Sequence, residues 1–232
     1  MAGHVLILAP HPDDESIIGL LPLRLQQECG WRVTVAPVTL GSRPDRRAAR
    51  KRELQAACRL LGFRLRFLKD GEPRRRVQDL LRTAAPDLVV LPHARDGHPT
   101  HRSVHRLGVA ALDALRTPFR VVETEYWHPL EKPNLMVAAQ AADLNKLRRA
   151  LACHAGEVAR NDYARRLPAW MSDNVRRGTE LVGGAGAAAP AIAHATLYRA
   201  RRRAGGKWEP LFKGGRIIRT AAELKALVAP WR

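Results

Sequence analysis

The sequence predicts an α/β protein with a mainly parallel central sheet. Short apolar segments alternate with longer amphipathic segments through the first half of the chain. The apolar segments are continuous, as expected for strands that are buried on both faces. Strands and helices that alternate at this spacing favour right-handed crossovers, so we expect helices on both sides of the sheet in a three-layer arrangement.

Five strands are predicted in the first half of the chain, over residues 4–9, 32–40, 64–68, 88–91 and 119–123. Helices are predicted over 17–29 and 44–61, around 77–81, and from the 92–101 loop to about residue 115. Gly30 and Gly62 follow the first two helices, where glycine commonly ends a helix. In the usual strand order, 3-2-1-4-5, the first and fourth strands are neighbours. The loops that follow them therefore open at the same carboxyl edge of the sheet.

The second half of the chain is less regular. We predict a helix over 143–157, an irregular segment over 161–186 that covers the mouth of the sheet, a strand over 192–198 and a basic turn in a solvated hairpin over 199–207. Thr220 and Glu223 fit a capping box that opens a C-terminal helix. No repeat or linker is visible, so we expect one domain over 1–232, with its core at about 4–160 and substrate-side and edge elements over 161–232.

The composition argues against several classes of protein. Hydrophobic residues make up 46% of the chain, which argues against disorder, and no apolar run approaches the roughly 18 residues of a membrane helix. The N-terminus lacks a basic region and a long apolar core, so we expect no signal peptide and a cytoplasmic location. The cysteines, Cys29, Cys58 and Cys153, are far apart and form no CxxC pair, which argues against a disulfide framework or a cysteine zinc site.

The net charge is +18, from 40 basic and 22 acidic residues. An anionic partner is one explanation, and solvated helix faces in an arginine-rich chain are the other. The charge is spread along the chain and does not alternate with aromatic residues, so we do not expect nucleic acid as the partner. Arginines near the predicted mouth favour an anionic substrate: Arg43, Arg46, Arg47, Arg95 and Arg102.

The loop after the first strand reads Ala-Pro-His-Pro-Asp-Asp-Glu over residues 9–15. Three carboxylates and an imidazole at the end of a buried strand are costly unless something compensates their charge, and a divalent metal ion would do so. His11 and Asp14 lie three residues apart in a tight loop and can face one cavity. A hydrolytic zinc site takes three such ligands and leaves a position for water.

The third ligand must come from another loop. The candidates lie in or just after the loop that follows the fourth strand: His93, His98, His101 and His105. Asp13, left beside the metal, would be the general base for a zinc-bound water that attacks a carbonyl carbon. If His101 binds the metal, His98 is suited to protonate a leaving amine or to stabilise the oxyanion. The combination predicts metal-assisted amide hydrolysis.

With these motifs in place, the chain resembles the PIG-L/LmbE-like N-acetylglucosaminyl deacetylases over about residues 4–160. The match to the 9–15 motif is nearly complete, and residues 98–101, His-Pro-Thr-His, resemble the family's His-Pro-Asp-His motif. The resemblance implies a Rossmann-like fold, one zinc ion per subunit (or another divalent metal) on His11, Asp14 and His101, Asp13 as the base, and His98 as the acid or oxyanion partner. Thr100 replaces the family's aspartate, and Asp96 is a nearby alternative carboxylate.

Weaker matches imply residues that bind the substrate. Arg50 resembles a substrate-binding arginine of the family, Asp70 resembles the acidic residue that pairs with it and grips sugar hydroxyls, and His154 resembles a histidine near the site. The implied activity is zinc-dependent N-deacetylation of an N-acetylglucosaminyl or related amino-sugar conjugate. The alternatives are a metal hydrolase of another amide or ester, and a non-enzymatic anion-binding or nucleic-acid-binding protein. Trp127, Pro129 and Leu130 after the fifth strand are either core or a homo-oligomer interface.

Overall fold

A computed structural model describes residues 2–231. Within this range, the strands form one sheet in the order β3-β2-β1-β4-β5-β7-β6-β9, with β8 paired to β7. Strands β1 to β5 run parallel to one another, while β7 is antiparallel to both β5 and β6. The strands are β1 His4–Ala9, β2 Arg32–Pro37, β3 Arg64–Leu65, β4 Leu88–Pro92, β5 Phe119–Thr124, β6 Leu135–Ala138, β7 Ala195–Ala204, β8 Lys207–Pro210 and β9 Arg216–Ile218.

Helices cover both faces of this sheet. Alternate residues of β1 point to opposite faces, so Val5 and Ile7 belong to one apolar cluster, and Leu6 and Leu8 belong to the other. Helices α4 and α5 pack on the second face, and the others described here mainly pack on the first. The mainly parallel three-layer α/β prediction is confirmed. The helices are α1 Asp14–Ile17, α2 Leu20–Cys29, α3 Arg47–Leu61, α4 Pro73–Ala84, α5 Pro99–Leu115, α6 Ala141–Ala152, α7 Ala155–Arg160, α8 Tyr163–Gly183 and α9 Ala221–Val228.

Strands β1 and β4 are direct neighbours, with Val5 opposite Leu88 and Ile7 opposite Val90. Both strands end at the same edge of the sheet, because they are parallel. The acidic loop after β1 and the histidine-rich loop after β4 therefore meet there, as the predicted strand order requires.

Two predicted helices are each divided in the structure. In place of one helix over 17–29, the chain forms the short helix α1 and then α2, which begins at Leu20. Pro22 therefore lies in the first turn of α2, where proline is tolerated. A Cβ atom on Gly19, between α1 and α2, would lie 2.1 Å from the Glu15 carbonyl oxygen. The 143–157 helix is divided into α6 and α7, with His154 at the junction.

The prediction of an irregular segment over 161–186 is wrong, because α8 spans 21 residues of it. Pro168 removes the bond that the Ala164 carbonyl would otherwise accept inside the helix. The Arg148 Nε atom donates to that carbonyl at 3.0 Å, so a side chain from α6 replaces the lost bond. An apolar stripe with helical spacing, from Tyr163 through Leu167 and Met171, packs α8 on the core.

Strands β6 and β9 were not predicted. The hairpin predicted over 199–207 is present, but β7 extends through residue 204 and pairs with β8. The turn itself is at Gly205 and Gly206, which both adopt positive φ angles and join β7 to β8. Within residues 2–231, no helix combines the length and the apolar character that crossing a membrane requires. The cytoplasmic location stays a prediction.

Candidate metal centre and substrate cavity

A cavity of about 770 Å³ opens at the carboxyl edge of the sheet, above β1 and β4. Its floor is formed by residues of the two loops that meet there, including His11, Asp13 and His98. Its walls come from the segment after β2, from the start of α3, and from α7 and the residues after it. The chemistry-bearing motifs of the sequence therefore share one concave site, the usual arrangement for a small-molecule site in an α/β sheet.

His11, Asp14 and His101 lie side by side. One carboxylate oxygen of Asp14 is 3.5 Å from His11 Nδ1, and the other is 3.5 Å from His101 Nε2. The backbone N–H of His11 donates to Asp14 at 2.7 Å and fixes this carboxylate in the loop. Burial opposes ionisation of Asp14, but the imidazoles of His101 and His11 lower its pKa. The structure thus brings together the three residues predicted to bind metal.

His101 is 4% exposed, and its Nε2 atom has no hydrogen-bond partner. Its other nitrogen, Nδ1, donates to Asp96 at 3.2 Å. Burial lowers the pKa of His101, but the carboxylates of Asp14 and Asp96 outweigh burial and raise it. A buried, unpartnered nitrogen in a negative environment fits a cation, and a carboxylate behind the imidazole is the support that metal-binding histidines commonly have.

His98 lies beside these groups with its ring turned towards the cavity. Nitrogen atoms of His11, His98 and His101 all lie within 4.8 Å of one another, so His98 is a third imidazole at the same point. His98 is the N-cap of α5, and its Nδ1 accepts the Thr100 backbone N–H at 3.2 Å. Because Nδ1 is an acceptor, the neutral ring carries its proton on Nε2. Burial and then the neighbouring imidazoles lower the pKa of His98.

Asp96 contacts the two histidines differently. One of its oxygens accepts the His98 backbone N–H at 2.8 Å, while the other faces the His101 ring. The carboxylate therefore orients the His101 imidazole and holds only the backbone of His98. Thr100, which stands where the His-Pro-Asp-His motif has aspartate, donates its backbone N–H to the His98 ring.

Asp13 has a φ angle of 117°, which non-glycine residues rarely adopt. The surrounding hydrogen bonds hold this conformation. The Asp13 backbone N–H donates to Glu15 at 2.9 Å, and its carbonyl oxygen accepts from Ser16 and Ile17. Backbone strain that the surroundings enforce is a common feature of functional sites.

Glu15 lies beneath this loop and is 0% exposed. Its Oε1 atom accepts the Ser16 hydroxyl at 2.7 Å and His154 Nε2 at 2.9 Å. His154 is 1% exposed and does not line the cavity. His154 therefore lies behind the acidic loop and reaches Asp13 only through Glu15. It does not face the substrate space.

The carboxylate of Asp13 has one cationic neighbour, Arg50, whose Nη2 atom lies 3.8 Å away. Burial first, and then the negative charges of Asp14 and Glu15, raise the pKa of Asp13 well above its usual value. Arg50 cannot offset this fully, because it also donates to the Pro12 carbonyl oxygen at 2.8 Å and pairs with Glu157. A carboxylate that binds a proton readily and faces a cavity fits the chemistry of a general base.

Arg50 and Asp70, which were predicted as a pair, are not brought together. Asp70 is exposed beyond β3 and does not line the cavity. The second carboxylate partner of Arg50 is Glu157, at 3.2 Å. Gly41 has a φ angle of 88°, and a Cβ atom there would lie 2.6 Å from Arg50 Nη1, so glycine leaves the space that the guanidinium needs.

Sequence reasoning did not identify Glu157 or Trp127 as parts of the cavity wall. Glu157 follows His154, a predicted site residue, by three positions. This spacing was the only indication in the sequence that Glu157 lies near the site. Trp127 follows β5, which ends at the same sheet edge as β1 and β4, so its position was the stronger indication.

Arginines dominate the rim of the cavity. Of the five predicted from the sequence, Arg43, Arg46 and Arg47 line it, together with Arg50 and Arg160. Arg95 pairs with Glu131 outside the cavity, and Arg102 donates to the Asp96 and Gly97 carbonyl oxygens.

The first half of the chain matches a known family. Residues 6–112 match the family described as "PIG-L: GlcNAc-PI de-N-acetylase". A protein of Bacillus subtilis (strain 168) named "Probable N-acetyl-alpha-D-glucosaminyl L-malate deacetylase 2" is 31% identical over 140 residues, which are 50% of this chain and 62% of that protein. The chain thus spans less than two thirds of the length of this relative.

Solved structures share the fold over most of the chain. N,N'-diacetylchitobiose deacetylase from Pyrococcus horikoshii has a TM-score of 0.65 at 17% identity, over 86% of this chain and 84% of that one. GalB, the 4-carboxy-2-hydroxymuconate hydratase from Pseudomonas putida KT2440, has a TM-score of 0.66 at 18% identity, over 86% and 96%. These enzymes catalyse different reactions, so the fold does not decide the reaction. The 6–112 match and the motifs at 9–15 and 98–101 make this part of the chain similar to the PIG-L family.

Proposed function

We propose that this protein is a metal-dependent hydrolase that removes an N-acetyl group from an N-acetylglucosaminyl or related amino-sugar conjugate. The observation that carries the proposal is the juxtaposition of a cation-accepting group, His11, Asp14 and His101, with the Asp13 carboxylate, which lines the same cavity as His11 and Asp14. The name of the B. subtilis relative, an N-acetyl-glucosaminyl deacetylase, supports the same reaction and substrate class.

His11, Asp14 and His101 are the proposed metal ligands, and Zn²⁺ is the proposed ion. Two imidazoles and one carboxylate are a donor set that zinc hydrolases use, and the unpartnered Nε2 of His101 fits such an ion. When bound, the ion would act as a Lewis acid towards a carbonyl oxygen and would lower the pKa of a water molecule. His98 faces the open cavity, whereas His101 is enclosed, so we assign His98 to the substrate.

The chain's own groups would move the protons. Asp13 accepts a proton from the attacking water, and the raised pKa of its carboxyl favours the protonated form that this step produces. His98 presents Nε2–H to the carbonyl oxygen of the acetamide, because its Nδ1 is held as an acceptor by Thr100. The proton taken up by Asp13 is then available to the departing amine. The products are a free amino sugar and acetate.

We further propose that the conjugate is anionic. Arg47 lines the rim and forms no ion pair with a carboxylate in the described part of the chain, whereas Arg43 and Arg46 pair with Asp45 and Glu53. An unpaired guanidinium beside a substrate cavity favours a carboxylate or phosphate on the substrate. Substituting Arg47→Gln should raise KM for an anionic conjugate several-fold and leave KM for a neutral one within about twofold.

The test is an acetate-release assay on the purified protein, stripped of metal and then supplied with Zn²⁺. A panel of N-acetylglucosaminyl conjugates, acyclic acetamides and acetate esters separates the reaction classes. We expect turnover of the amino-sugar conjugates that depends on the metal and is lost in His11→Ala together with the bound metal. His128→Ala, which alters an exposed histidine outside the metal group, is the matched control.

Two other results would redirect the assignment. Faster hydrolysis of esters or of acetamides without a sugar would favour the alternative of a metal hydrolase with another substrate. A protein without stoichiometric metal that binds nucleic acid in a salt-dependent manner would support the anion-binding alternative.

A further inference from the structure

Trp127 is the most exposed tryptophan of the described chain, at 45%, and it lines the substrate cavity. Two other tryptophans, Trp31 and Trp231, are buried in the core. An indole of this size is normally buried, because covering its apolar surface is favourable by a few kcal/mol. Its exposure at the mouth of a cavity indicates a surface for a ligand to cover.

Aromatic neighbours pack against the Trp127 ring. The ring of Tyr126 meets it edge-on at 5.1 Å, and the ring of Tyr163 meets it edge-on at 5.6 Å. Tyr126 is in turn packed edge-on against Tyr163 and Trp170. This cluster joins the loop after β5 to α8 and limits the rotamers that the indole can adopt.

The backbone on both sides of Trp127 is also anchored. The His93 side chain donates to the His128 carbonyl oxygen at 2.9 Å. The buried carboxylate of Glu125 accepts the Leu130 backbone N–H and pairs with Arg177 of α8. Since Leu130 is itself buried, the loop is fixed at its base, while the Trp127 indole remains exposed.

The indole lies next to the group assigned to the substrate carbonyl. The Trp127 and His98 ring centroids are 6.5 Å apart. The loops touch through Gly97, where a Cβ atom would lie 3.0 Å from the Trp127 carbonyl oxygen. A ligand whose amide reaches His98 therefore has its remaining atoms near the Trp127 indole.

We propose that Trp127 is the platform on which the pyranose ring of the substrate stacks, an inference that rests on the proposed function. One face of a pyranose is lined by C–H bonds, and such a face packs well on the electron-rich face of an indole. The hydroxyl groups, at the ring edge, then face the polar rim. Trp127 would make the enzyme prefer acetamides carried by a sugar ring over acyclic acetamides.

The test compares KM and kcat of the metal-loaded protein for two probes. One is methyl 2-acetamido-2-deoxyglucoside, and the other is N-acetylethanolamine, which has the same amide without a ring. We expect Trp127→Ala to raise KM for the glycoside several-fold, up to about tenfold, and to affect the acyclic probe far less, since only the glycoside has a ring that can stack on the indole. Trp127→Phe, which keeps an aromatic face, should recover most of the affinity.

Phe67→Ala is the control, because Phe67 is an exposed aromatic residue that does not line the cavity. An equal rise in KM for both probes in Trp127→Ala, or an unchanged KM for the glycoside, would contradict the proposed stacking of the sugar on Trp127. So would a change in sedimentation coefficient in Trp127→Ala, which would instead make the indole a contact between copies of this chain.

A binding measurement separates this inference from the proposed function. We expect glucosamine to quench tryptophan fluorescence in the wild-type protein and in Phe67→Ala, but not in Trp127→Phe. Quenching in a protein that hydrolyses neither probe would contradict the deacetylase and support the platform. Hydrolysis of the glycoside with no quenching that depends on Trp127 would support the deacetylase and contradict the platform.

Discussion

The Nε2 atom of His154 lies 2.9 Å from the Oε1 atom of Glu15, although 139 positions separate the two residues. Both side chains are enclosed, and the other oxygen of Glu15 holds the backbone N–H of Asp13. The start of α7 thus supports the strained loop that carries the proposed base. His154 is a positioning residue in this arrangement.

Replacing His154 should therefore affect both stability and turnover. In His154→Ala, the buried Glu15 carboxylate loses a charge-assisted hydrogen bond, so we expect the free energy of unfolding to fall by about 1–3 kcal/mol in a urea titration. Loss of support for Asp13 should lower kcat with little change in KM. His194→Ala is a control outside this contact. A rise in KM with an unchanged kcat in His154→Ala would instead place His154 against the substrate.

Asp13→Asn should retain the metal and lose turnover. The amide is nearly isosteric with the carboxylate but cannot accept a proton from water, so we expect kcat to fall by about 10²–10⁴-fold. Metal content by elemental analysis should match that of the wild-type protein. Turnover within a factor of a few of the wild type would remove Asp13 as the base.

Asp96→Asn should weaken the metal centre. The Asp96 carboxylate accepts the Nδ1–H of His101 at 3.2 Å, and loss of such support typically costs about 10–100-fold in metal affinity. Competition with a fluorescent chelator measures this change. Asp79→Asn, on the exposed face of α4, should leave affinity unaltered, and an Asp96→Asn protein with wild-type affinity would contradict the orienting role.

The C-terminal capping box gives a pH prediction. Burial opposes the shift, but bonds from the Arg219 and Thr220 backbone N–H groups and from the Arg219 side chain lower the pKa of Glu223 to about 2. Because the folded pKa lies below the unfolded value of 4.5, the stabilisation is complete above pH 4.5 and is lost as the pH falls towards 2.

We therefore expect the stability difference between the wild type and Glu223→Gln to shrink as the pH is lowered from 6 to 3. The Glu223 side chain is about one third exposed, at 32%, so solvent screening limits the difference to about 1 kcal/mol or less at pH 6. Urea titrations at each pH measure it. A stability difference that grows as the pH falls would contradict a lowered pKa for Glu223.

Much of the metal centre could be predicted because its groups are local in sequence. His11, Asp13 and Asp14 share one loop, and the alternation of strands and helices was enough to put β4 beside β1. The helical stripe of α8 was also readable, but Pro168 suggested an irregular segment. Only the fold could reveal that Arg148 supplies the missing hydrogen bond.

The sequence by itself determined the α/β architecture, the sheet edge at which the candidate site lies and the identity of the loop proposed to bind metal. The tertiary structure decided which distant side chains complete it: Glu157 as a partner of Arg50, His154 beneath Glu15, and Trp127 beside His98. The physical reason is that spacing along a strand or helix fixes only neighbours of the same element. Contacts between loops depend on how α7, α8 and the end of β5 pack, which is a property of the whole core.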